Sequence, residues 1–110
     1  MSDSIYDKAA DYLRQYGWTQ GSYFAFVPRH PGGFGSTVTR AKAERPAACV
    51  SGAIMAVTED ASTWNRAIPP LDDLLAVDLL HWNDAPERTL EDVLLLLKQA
   101  DCQLDAEGRA

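Results

Sequence analysis

A chain of 110 residues that is 46% hydrophobic and 24% charged suits one compact domain with a modest core, and it lacks the bias of disordered or collagen-like sequences. The longest apolar run, Val93 to Leu97, is far short of the roughly 20 residues that span a bilayer. The start, MSDSIYDKAADYL, has no basic region followed by an apolar one, so a cytoplasmic protein without membrane attachment is expected.

The net charge of −6 is unevenly divided: residues 1–50 hold six Lys/Arg against four acids, and residues 51–110 hold four against twelve. This acidic balance argues against broad nucleic-acid binding, which needs a large positive field, and leaves one small basic segment from Arg29 to Arg45. The two cysteines, Cys49 and Cys102, have neither metal-ligand nor disulfide-framework spacing and read as reduced thiols.

In chain order, Ser4 caps a first helix in which Tyr6, Ala9, Leu13 and Tyr16 recur at helical spacing, and Gly17 ends it. A left-handed Gly17 would turn Trp18 back onto Leu13, as in a Schellman motif. SYFAFV then reads as a strand, PRHPGG as turn chemistry and GSTVTRAKA as a returning strand, although the Pro and Gly residues suit an irregular loop equally well.

Pro46 stands at a first-turn position, and AACVSGAIMAV predicts the central, most buried helix, ending near Glu59 with a loop at Ser62 and Thr63. Pro69 and Pro70 open a third helix whose stripe is Leu71, Leu74, Leu75, Leu79 and Trp82. Asp78 falls within that stripe and needs hydrogen-bond donors or water, the nearest candidates being His81 at i+3 or the amide groups opening a neighbouring helix. Thr89 and Asp92 approximate a capping box for the last helix, which buries Leu90, Val93, Leu94, Leu97 and Ala100. The expected fold is α+β and mainly helical: about four packed helices with a short hairpin or long loop at residues 22–45. Residues 1–104 form one domain, and 105–110 are expected to fray.

GWTQG at 17–21, CVSGAI at 49–54, WNDAPERT at 82–89 and the helix carrying Val93, Leu97 and Ala100 resemble a family of small uncharacterised proteins of high-GC Gram-positive bacteria and their phages. The resemblance covers most of the chain apart from residues 22–46. It implies a shared fold and a cytoplasmic setting, and it brings no activity, cofactor or catalytic residue with it.

A catalytic reading sets Cys49 at a helix start, His81 as base and Asn83, Asp84 or Asp78 as the orienting group. Against it, a cysteine in a small-residue helix commonly serves as a small core hydrophobe. His30, His81, Cys49 and Cys102 show no metal-ligand spacing, and GGFG lacks the Gly-Lys-Ser/Thr ending of a phosphate loop, so no metal or cofactor is expected. The favoured function is a non-enzymatic binding or regulatory protein acting through a protein partner, itself a monomer or weak homodimer. Its first contact candidates are Arg29, Phe34, Arg40, Lys42 and Arg45. The alternative is a small thiol enzyme or ligand-binding domain using Cys49 and His81.

Overall fold

Sequence-local signals account for where most helices begin. The structure, a computed structural model, describes residues 4–25, 33–58 and 60–108, with only the backbone of 33–38 and 104–108. Helix α1 (Ile5–Tyr16) opens as expected: the Ser4 hydroxyl accepts the N–H of Asp7. Helix α6 (Leu90–Gly108) opens on a complete capping box. The Thr89 N–H donates to the Asp92 carboxylate and the Asp92 N–H donates to the Thr89 hydroxyl, at 3.1 and 3.2 Å.

The α+β expectation is overturned. The described residues form six helices and no named strand, so the fold is all-α. The predicted returning strand is helix α2 (Gly33–Glu44). Its second half, Arg-Ala-Lys-Ala-Glu, consists of good helix formers, Arg40 and Glu44 pair at i,i+4, and Ala41 is buried in the core. These outweigh the β-branched Thr37, Val38 and Thr39. The predicted strand at 22–27 is reduced, over its described part, to single bridges. Trp18 and Phe24 each bridge to Ala48, one parallel and one antiparallel, so the segment 46–48 is extended where a first helical turn was expected.

Helix α3 (Val50–Val57) is the centre of the molecule, as anticipated. Its residues Val50 to Met55 are buried, and it packs against α1, α2, α4 and α5. Cys49 is its N-cap, with Sγ accepting the N–H of Gly52. Gly52 has a second duty. A Cβ built there would lie 2.1 Å from the carbonyl oxygen of Tyr23, so only glycine lets that strip of backbone cross α3.

The third predicted helix is two. Asp60 caps α4 (Ala61–Leu75), which therefore starts through the Ser62–Thr63 stretch read as a loop and carries Pro69 and Pro70 in its interior. The two prolines deprive the carbonyls of Asn65 and Arg66 of their helical donors, but both residues are exposed, so water can serve instead. Ala76, left-handed at φ 60°, ends α4. Asp78 then caps the five-residue α5 (Leu79–Asn83) by accepting the N–H of His81. Asp78 is thus a cap between helices rather than a carboxylate inside an apolar stripe.

Helix α1 packs on α3 and α6, and the Tyr6 hydroxyl donates to the Ala67 carbonyl of α4 at 2.8 Å. Gly17 takes φ 104° and ψ 163°, outside the left-handed helical region, so the expected Schellman geometry is absent. Helix α6 runs on to Gly108, into the stretch expected to fray.

Two substitutions probe this backbone with opposite signs. Gly52→Ala would raise helix propensity but push against Tyr23, and is expected to destabilise the fold by about 2 kcal/mol or more. Ala76→Gly relieves a left-handed alanine and should stabilise by up to about 1 kcal/mol. Urea unfolding of both variants checks the pair; a neutral Gly52→Ala would contradict the close crossing.

Candidate functional site

The segments GWTQG, CVSGAI and WNDAPERT meet at one side chain. Asn83, the last residue of α5, is fully buried at 0% exposure. Its Oδ1 accepts the indole N–H of Trp18 at 2.8 Å and the backbone N–H of Val50 at 3.1 Å. Its Nδ2 donates to the Thr19 carbonyl at 3.3 Å and to Asp84 Oδ1 at 3.0 Å. An asparagine amide offers two acceptor sites and two donors, and all four are in use. Gln20 donates to the carbonyls of Asn83 and Ala85, and Gly21 donates to Asp84. Arg88 closes the far side, stacked over Trp82 at 4.1 Å and donating to its carbonyl. The polar residues of Trp-Asn-Asp therefore hold the chain together.

Beside this knot the surface opens into two adjoining clefts. One, of about 240 Å³, is lined by Trp64, Ile68, Asp78 and Leu79; the other, of about 230 Å³, is lined by Gly21, Ser22, Cys49 and Asp84; Tyr23 and Leu80 line both. Tyr23 and Leu80 stand 38% and 39% exposed between them. Tyr23 is held edge-on to Trp64 with ring centres 6.0 Å apart, and the Trp64 indole donates to the Ser51 carbonyl. Burial, with Cys49 and Asp78 adding to it, pushes the Tyr23 phenol above its ordinary value.

The catalytic alternative fares as follows. Cys49 lines the smaller cleft but is only 1% exposed. Burial pushes its thiol up to about 11, and the N–H groups of Gly52 and Ser51 offset only part of that. Asp78 lines the larger cleft, whereas the exposed His81 lines neither. Asp78 meets His81 through the backbone N–H, so their i,i+3 spacing reflects a helix cap.

Of the basic segment, Arg29 and His30 lie outside the described residues, and of Phe34 only the backbone is described. Arg40 pairs with Glu44, Lys42 donates to the Ala56 carbonyl near the end of α3, and Arg45 donates to the Tyr16 hydroxyl while its guanidinium lies 5.5 Å from the ring centre. Three of the five contact candidates thus carry bonds within their own chain. Tyr23 and Leu80 were missed by sequence reasoning. The available signal was a run of five acids and no Lys or Arg between Arg66 and Arg88, with Leu80 in its middle.

Fold and site together define a small all-α protein in which segments 17–21, 49–54 and 82–89 meet at Asn83, with Tyr23 and Leu80 lining two clefts beside it. The chain belongs to the family of unknown function DUF6197, whose profile matches residues 2–101. No curated protein and no solved structure matches it. Among the described residues no helix is long and apolar enough to cross a membrane.

The two thiols should behave differently. Cys102 is exposed on α6, so a disulfide reagent at pH 8 should titrate one thiol in the native protein and the second only after urea unfolding; prompt reaction of both would contradict the burial of Cys49. Burial also raises the Tyr12 phenol from 10.0 to about 12, as it raises Cys49 from 9.0 to about 11. Both groups ionise first in the unfolded chain, so this stability is complete below about pH 9 and is lost as pH rises toward 12. The Cys49 share is on the order of 2 kcal/mol. A Cys49→Ser variant, which keeps a capping side chain, should lose the onset of that decline between about pH 9 and 10 in thermal melts.

Proposed function

We propose that this is a non-enzymatic binding or regulatory protein that acts through a protein partner, in the bacterial or phage-infected cytoplasm that the family resemblance implied. One observation carries the reading: the ridge of Tyr23 and Leu80, two large side chains more than a third exposed, separates two clefts instead of being covered by the protein's own helices. Apolar side chains clustered at the surface beside clefts are the usual mark of a protein contact. The chemistry of Cys49 favours the same reading, since a thiol raised to about 11 holds little thiolate near neutral pH.

We place the contact surface at this ridge ahead of the basic segment. Lys42 and Arg45 already serve the chain's own carbonyls and Tyr16, so releasing them to a partner would cost existing bonds.

Affinity capture from the source organism tests the proposal, comparing the wild type with a Tyr23→Ser/Leu80→Ser variant and with an Arg29, Phe34, Arg40, Lys42 and Arg45 variant changed to Ser or Ala. With folding of each verified by thermal melt, the first variant should lose proteins that the wild type and the second retain. Equal capture by the first variant and the wild type would remove the ridge as the contact surface.

A further inference from the structure

We infer that the Tyr23–Leu80 ridge, taken as the contact surface proposed above, receives a short basic segment of its protein partner in which a bulky apolar side chain lies between Lys or Arg residues. From Arg66 to Arg88 the chain carries five acids, Asp72, Asp73, Asp78, Asp84 and Glu87, against the two bounding arginines, so this stretch keeps an acidic excess even with Arg88 stacked on Trp82. That excess repels nucleic acid and anionic lipid surfaces and favours a cationic partner.

Two of the carboxylates are positioned by the fold. Asp78 and Asp84 are the N-cap and C-cap residues of α5, and each lines one of the two clefts. At the helical rise of 1.5 Å per residue they stand about 9 Å apart along the axis. Leu80 lies between them in sequence, and its side chain lines both clefts. An extended segment covers that interval in about three residues, at 3.3–3.6 Å each. Two cations three positions apart, with an apolar residue between, therefore match one carboxylate, the ridge and the other carboxylate.

Each carboxylate keeps capacity for a partner. Asp78 gives one oxygen, Oδ2, to the cap on His81, and Asp84 gives one oxygen, Oδ1, to Gly21 and Asn83. Asp73 and Glu87, both exposed, belong to the same acidic stretch of sequence. The larger cleft, walled by the aromatic Trp64 and by Ile68, offers the partner's apolar side chain a surface to pack against.

Fluorescence anisotropy with three labelled peptides tests the inference on the full chain: a Leu-Phe pair flanked by arginines, the same pair flanked by glutamates, and arginines flanking Gly-Gly. The first should bind at least about tenfold more tightly than either of the others, and its affinity should fall as salt is raised. Asp78→Asn retains a capping side chain while removing charge, and should weaken that peptide about threefold; Leu80→Ala should weaken it about tenfold. Leu95→Ala, on a 58% exposed residue of α6, should leave it unchanged.

Equal binding of the arginine and glutamate peptides would overturn the inference, as would no binding of the first, insensitivity to Asp78→Asn, or stronger binding of an oligonucleotide or an anionic vesicle. If the basic peptide fails while the Tyr23→Ser/Leu80→Ser variant still loses its captured partner, the ridge stands as a contact surface and its basic occupant falls. If captured proteins are unaffected by that variant, the contact-surface reading itself falls.

Discussion

The amide of Asn83 is the constraint on which the rest of this structure depends. It lies where α5 ends, where α3 begins and where the strip after α1 passes, and it bonds to all three. A buried amide that met only some of its partners would be costly, because each unpaired donor or acceptor forfeits its hydration for nothing. With every group satisfied, the same burial fixes a unique geometry. The strip at Trp18 and Thr19, the first turn of α3 and the joint after α5 can be satisfied by this side chain only when all three sit in register.

A second constraint, one of space, acts next to the first. The backbone at Tyr23 crosses α3 at Gly52, and its carbonyl accepts the N–H of Cys49, so the first turn of α3 is occupied by backbone on one side and by Asn83 on the other. This explains the small residues of Cys-Val-Ser-Gly-Ala without any ligand. Cys49 provides a compact cap, Gly52 admits the crossing, and Ala53 and Ala56 let the neighbouring helices approach. Placing Tyr23 there also sets its ring against Trp64 and beside Leu80 at the surface.

The helices whose signals are local were legible in the sequence. Ser4 and Thr89 announced α1 and α6 because a cap lies beside the turn it serves, and the apolar character of residues 50–57 announced the central helix. Signals that compete locally misled. Gly and Pro near residue 30, with Thr37 to Thr39, suggested a hairpin, whereas Ala41 in the core and the Arg40–Glu44 pair belong to a helix. Pro69 and Pro70 look like a helix start and sit inside one because the carbonyls they deprive face solvent. The role of Asn83 was not legible, since three of its four partners lie 33 to 65 positions away. Tyr23 and Leu80 escaped notice for a related reason: neither is unusual alone, and only the crossing over α3 brings them together.

Asn83 couples segments distant in sequence. A double-mutant cycle measures this directly, with urea unfolding of the wild type, Trp18→Phe, Asn83→Ala and the double variant. If the indole N–H and the amide oxygen are bonded as described, the two single losses will overlap, with a coupling of about 1–2 kcal/mol between them. Losses that simply add, to within about 0.3 kcal/mol, would contradict it.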